Sequence, residues 1–158
     1  MTDPTDTPPA LSLHDYLPYR LAVTSNQVSR VVARAYQARF GLTVWEWRVI
    51  ALLGEAEPMT AQSLSDIAAM DKVSVSRAVK ALVERGLVVR AERASDRRSR
   101  DLRLTNPGRS LYLEIMPVAL GAEADLLDGL DAEEVAILVR LLEAVRSRAA
   151  ELLDGADT

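Results

Sequence analysis

Asp96, Arg97, Arg98, Ser99 and Arg100 place three guanidinium groups and one carboxylate in five consecutive positions. Like charges this crowded repel unless an anion neutralises them or the neighbouring acid orients one. A minor groove, with its focused negative potential, suits an inserted Arg; the plain alternative is a turn washed by solvent. Upstream, Ser74, Ser76, Arg77 and Lys80 recur on what reads as one face of a helix. An Arg there can contact guanine O6 and N7 in a bidentate manner, and the serines suit phosphates or base edges. Serine is also common in any first helical turn, and a solvated face would equally carry Arg77 and Lys80.

The elements that must position these groups are mostly helical. A first helix is expected over residues 12–40, bent at Pro18, with Leu21, Val28, Val31, Val32 and Ala35 at helical spacing and Gly41 as its stop. Thr43 with Glu46 forms a capping box for a second helix, which carries Trp47, Val49, Ile50, Leu52 and Leu53 and breaks at Gly54 or soon after, before Pro58. Thr60 caps a short third helix that ends at Ala69 and turns Leu64, Ile67 and Ala68 inward; Asp71 is placed to cap a fourth. On the fourth, Val75, Val79, Leu82 and Val83 make a single apolar stripe that leaves Ser74, Ser76, Arg77, Lys80 and Glu84 opposite, and Gly86 ends it.

Residues 87–93 and 100–104 read as two strands joined by a polar hairpin, 94–99. Thr105 caps a long fifth helix that tolerates Pro107 in its first turn and is kinked at Pro117. A last helix starts at an Asp131–Glu134 capping box, stapled by Leu130 and Val135, and bears Ile137, Leu138, Leu141, Leu142 and Val145 as a stripe. Helices outside the central three with faces so rich in Leu need a partner: a second subunit, or each other in a monomer.

Charge is unevenly placed. The 158-residue chain carries −4 overall, yet residues 60–110 hold eleven cations against six acids, while residues 111–158 hold three against eleven. A basic middle beside an acidic C-terminal segment is an electrostatic footprint with direction, unless the charges are simply scattered over a solvated surface. Cysteine is absent, which excludes disulfides, thiol redox sensing and thiolate metal sites. With one His, no Gly-rich phosphate cradle and no cluster at metal spacing, neither an enzyme nor a cofactor or metal is expected. No run is long and apolar enough for a membrane span, and residues 1–10 read as a flexible tail rather than a targeting peptide, so the expected location is cytoplasmic.

The runs LTVWEWRVIALL, LSDIAAMDKVSVSRAVKALVERGLVVR and DRRSRDLRLTNPGR resemble the multiple-antibiotic-resistance regulator (MarR) family of transcription factors, over roughly residues 11–150. The resemblance implies a mainly α fold with a small β-hairpin wing. A winged helix-turn-helix at 41–105 would bind DNA, and dimerisation helices at 11–40 and 106–153 would build an obligate homodimer from the first, fifth and sixth helices. Asp96 and Arg98 match the family's wing motif, with Arg98 as minor-groove residue and Asp96 as its orienter. Ser74, Ser76 and Arg77 match the start of the recognition helix, while Arg97 and Arg100 are additional phosphate contacts.

The implied activity is that of a repressor released from a pseudo-palindromic operator by a small aromatic or anionic ligand. The two recognition helices of the dimer would stand about 34–36 Å apart, one turn of DNA. Candidates for the ligand pocket are His14, Tyr16, Tyr19 and Arg20 on the first helix with Trp45, Trp47 and Arg48 on the second. Arg20 could pair with a carboxylate and a Trp could stack on a ring, although Trp47 sits where a core residue is expected. The rival reading is a winged-helix module for protein–protein contacts, for which the wing need not be basic. Arg98→Ala is predicted to lower operator affinity by about 1–3 kcal/mol, read by footprinting; a footprint like the wild type's refutes the wing assignment.

Overall fold

A computed structural model of the chain describes residues 11–68, 70–93 and 96–155, with backbone only for residues 92, 93 and 96–99. The proposed tail, Met1–Ala10, and the expected helix end at Ala69 lie outside the described residues. The elements in order are α1 (Leu17–Phe40), α2 (Val44–Glu55), β1 (Met59–Thr60), α3 (Ala61–Ala68), α4 (Lys72–Glu84), β2 (Val88–Arg93), β3 (Asp96–Leu104), α5 (Asn106–Leu126) and α6 (Ala132–Asp154). Among the described residues no helix is long and apolar enough to cross a membrane.

Capping chemistry sets most boundaries. Thr43 accepts from the Glu46 N–H while the Glu46 carboxylate accepts from the Thr43 N–H, so two of the four orphan donors of α2 are satisfied. Thr60 Oγ1 accepts from Ser63 N at 3.1 Å, Asp71 Oδ1 from Ser74 N at 2.9 Å, and Thr105 Oγ1 from Gly108 N at 3.1 Å. Asp131 and Glu134 repeat the capping box on α6. Gly41 ends α1 at φ 60°, and Gly86 at φ 69° turns the chain from α4 into β2.

Four expectations are corrected. α1 starts at Leu17 and not at Ser12; Pro18 sits in its first turn, where the lost N–H has no helical partner, so it begins the helix and does not bend it. Ile67 points outward, 56% exposed, because the eight-residue α3 has room to bury one side only, through Leu64. The second wing strand begins at Asp96 rather than Arg100, with a register irregularity at Glu92/Arg93. The wing is also more than a hairpin. Met59 and Thr60 pair antiparallel with Leu102 and Asp101, giving a three-stranded sheet in the order β1-β3-β2. Two residues show no alternation pattern, which is why β1 is invisible in the sequence.

The chain forms two compact units, one ending at Ala122 and one starting at Glu123. In the first, α4 packs on α2, α3 and β2. Its Val75, Val79 and Leu82 join Ile50, Leu53, Leu64, Val88 and Leu102 in the core, together with Tyr36 of α1 and Ile115 of α5. In the second, no residue of α6 is buried, and Ile137, Leu138, Leu141, Leu142 and Val145 all remain open.

Where α5 begins, Gly108 lies against the turn into β2: a Cβ there would stand 2.0 Å from the Leu87 carbonyl oxygen, a backbone atom that cannot step aside. In an open helix Gly→Ala stabilises by up to about 1 kcal/mol. Gly108→Ala is instead predicted to destabilise by roughly 1–3 kcal/mol, as overpacking does, read from the urea midpoint; an unchanged or raised midpoint contradicts the contact.

Candidate nucleic-acid interface

The recognition-helix candidates stand on α4 as its buried stripe dictates. With Val75, Ala78, Val79 and Leu82 inside, Lys72, Ser76, Arg77 and Lys80 are exposed. Ser74 is half-buried, and its hydroxyl donates to Asp71 Oδ2 at 2.5 Å. Its hydroxyl thus takes part in the cap of α4. The same two donors, the Ser74 hydroxyl first and its backbone N–H second, hold the Asp71 carboxyl below the usual carboxylate range. Lys80 lies 3.8 Å from Glu84 in an exposed i, i+4 pair, a contact weak enough to exchange for a phosphate.

α4 is a ridge with a concavity on either flank. Towards the sheet lies a cavity of about 460 Å3 whose polar lining includes Lys72, Ser76, Arg90 and Arg100, adjoined by a second that Ser76, Lys80, Arg90 and Arg100 also line. Towards the start of α2 lies a smaller one of about 310 Å3, lined by Trp45, Ser74 and Arg77 among others. Ser76 and Arg77 thus face opposite flanks.

Arg90 escaped the sequence reading. The register pairs Val88 with Leu104, Arg90 with Leu102 and Glu92 with Arg100, so Arg90 and Arg100 share the sheet face of buried Val88, Leu102 and Leu104. They continue that face as exposed cations beyond its apolar part. The available signal was parity: Arg90 is two residues from Val88, on the side that must meet α4. Asp96, Arg97 and Arg98 lie on β3 by backbone, and their side chains lie outside the described residues.

Not every cation in the basic segment is available. Arg85 donates to the Gly41 and Phe40 carbonyls at 3.2 and 3.1 Å, finishing the end of α1. Arg109 is bound to Glu57 and to the Gly54 carbonyl.

The ligand-pocket candidates divide into separate groups. The Arg48 guanidinium lies 5.1 Å from the centre of the Trp45 ring, a cation–π contact, and donates to the Ala68 carbonyl at 3.4 Å. Trp47 is half-buried with its ring 4.8 Å from that of Tyr36, whose phenol is pushed up by burial. His14, Tyr16, Tyr19 and Arg20 are exposed at the start of α1 and line none of the three cavities described. Among the described residues there is no cluster able to hold a metal ion.

A capped helix flanked by cations, backed by a three-stranded sheet on a helical core, defines a winged-helix protein. Residues 40–99 match the model of the MarR family. A MarR/EmrR family transcriptional regulator from Acinetobacter sp. ADP1 is 28% identical, with a TM-score of 0.83, covering 89% of this chain and 99% of that one. BpsR of Bordetella bronchiseptica, whose DNA binding is regulated by 6-hydroxynicotinic acid, is 20% identical with a TM-score of 0.80, over 87% of this chain and 98% of its own. A MarR family transcriptional regulator from Listeria monocytogenes complexed with 26mer DNA is 20% identical with a TM-score of 0.79, over 87% and 91%. The chain has the fold of MarR-family transcriptional regulators.

The lowered Asp71 pKa gives a signed prediction. A carboxylate favoured in the folded state stabilises fully above its unfolded value, about 3.9, and that contribution is lost as pH falls through the lower folded value. Asn caps as well but does not titrate. The stability advantage of wild type over Asp71→Asn should therefore be larger at pH 6 than at pH 3 in urea denaturation; an advantage independent of pH contradicts the role of the charge.

Proposed function

We propose that the protein is a homodimeric repressor that binds a pseudo-palindromic DNA operator and leaves it when a small aromatic or anionic ligand binds. The observation that carries the DNA reading is the row of exposed cations, Lys72, Arg77, Lys80, Arg90 and Arg100, on α4 and the sheet face that continues towards it. In a chain of net charge −4, such a row is concentrated where a duplex would lie. Ser76, Arg77 and Lys80 are assigned to the major groove. Arg97, Arg98 and Arg100 belong to the wing, with Arg98 in the minor groove and Asp96 orienting it. Lys72 and Arg90 join them as phosphate contacts between helix and wing, and Ser74 acts through the helix cap.

The dimer reading is supported by the apolar faces that one chain leaves open. Leu17, Val28 and Val31 on α1, Leu113 and Leu120 on α5, and the whole stripe of α6 are more than a third exposed. Uncovered faces of this extent mark association surfaces. The ligand reading is supported by BpsR's response to an aromatic acid and by the exposed Trp45 ring with half-buried Arg48 beside it, which offer a ring to stack on and a cation.

The deciding measurement is a salt titration of binding to a duplex selected by the protein from a random-sequence pool. Affinity should fall with salt at a log–log slope of about −0.9 per neutralised phosphate. Arg90→Ala should weaken binding about evenly across sequences and reduce that slope by about one unit. Binding that is absent or insensitive to salt refutes the DNA reading, and a monomer in sedimentation at micromolar concentration refutes the dimer.

A further inference from the structure

The base of the wing is held by a carboxylate in place of a strand. β1 pairs Met59 with Leu102 and Thr60 with Asp101. Carried two residues further, that register sets Glu57 opposite Leu104, but β1 stops at Met59. Where the missing rung would be, Glu57 Oε2 accepts the Leu104 N–H at 2.8 Å. The other oxygen, Oε1, accepts from Arg109 Nη2 of α5 at 2.5 Å. Arg109 Nη1 in turn donates to the Gly54 carbonyl, near the end of α2, at 3.0 Å, and its guanidinium stands 6.0 Å from the centre of the Tyr112 ring. Tyr112 itself lies so close to Gly54 that a Cβ there would fall within 2.4 Å of its ring.

The Glu57–Arg109 pair therefore ties the last residue of β3, the first turns of α5 and the end of α2 together. The Glu57 side chain is only 24% exposed, so its charge-assisted bonds are less screened than those of the surface pairs. β3 pairs regularly with β2 from Leu104 back to Arg100, so the direction of this part of the wing is set at its base. A small rotation at Leu104 moves Arg100, four residues and about 13 Å along the strand, by a larger distance.

We infer that Glu57 is a positioning residue for DNA binding: its carboxylate, held by Arg109, aims the wing relative to α4. This rests on the DNA reading above and adds to it a residue that touches no DNA. Glu57→Gln keeps an oxygen for the Leu104 N–H but turns an amide donor towards Arg109, so the clamp loses its charged half.

The test is a double-mutant cycle on the same selected duplex, with Arg100→Ala as the wing variant. Coupling between residues that act through one another appears as non-additivity, whereas independent structural effects add. Glu57→Gln should lower affinity about five- to tenfold in the wild-type background and by a smaller factor, about two- to threefold, when Arg100 is already Ala and only the remaining wing contacts are left to lose. Equal loss in both backgrounds, or no loss in the wild type, overturns the inference. Circular dichroism and sedimentation check that each variant keeps its fold and association state. Should Glu57→Gln not fold, Arg109→Gln, which leaves the Leu104 N–H bonded, replaces it in the cycle with the same expectation. A wild-type protein that binds no duplex refutes the DNA reading itself, and the wing's role falls with it; a wild type that binds, with additive variants, refutes Glu57 alone.

Discussion

Burial of one face of α4 is the constraint from which the rest of the arrangement follows. Val75, Val79 and Leu82 are almost completely enclosed by side chains from α2, α3 and the sheet, at roughly 1.5–3 kcal/mol for each such residue. Turning the helix to bring Arg77 or Lys80 inward would forfeit several of these contributions and bury an unpaired charge. The rotational setting of α4 is therefore decided by apolar transfer, and its outward cations are a consequence. Asp71 and Gly86 then fix where the helix starts and where the chain leaves it. The same stripe draws Val88 and Leu102 of the sheet against α4, and the two-residue period of a strand carries Arg90 and Arg100 to that side.

Electrostatics is local in this protein. The overall charge is −4, but what matters is which cations are already engaged. Arg85 and Arg109 are consumed in joining elements to one another, while Lys72, Arg77, Arg90 and Arg100 face open space. On α6, Arg146 and Arg148 pair with Glu143 and Glu151 one turn away, so the acidic segment keeps its excess of carboxylates. Net charge alone would hide this row of cations. Counting every Arg in the basic segment would overstate it.

Much of the fold was legible because its signals are short in range. Thr43 with Glu46, Thr60, Asp71, Thr105 and Asp131 with Glu134 were all read as caps and all act as caps, since a cap needs only a side chain three residues from an N–H. Pro18 misled because the same residue that bends a helix interior is welcome in its first turn. Ile67 misled because a helical period shows which residues share a face, but not how far a neighbour covers it. Trp45 and Arg48 meet because they are three apart on one helix.

What the sequence determined by itself is the set of helices, their caps, the face each must bury and the cations that burial leaves outside, all consequences of period and of neighbours within a turn or two. Only the tertiary structure decided the rest. It added β1, aligned Arg90 with Arg100, spent Ser74 in a cap, withdrew Arg85 and Arg109 from the basic surface and set Glu57 in a missing rung. Apart from Ser74, bound to its helical neighbour, and Arg90, aligned with Arg100 by the adjacent hairpin strand, these depend on pairing residues far apart in the chain. The Glu57–Leu104 and Glu57–Arg109 bonds span 47 and 52 residues, and no periodicity encodes which distant N–H a carboxylate will find.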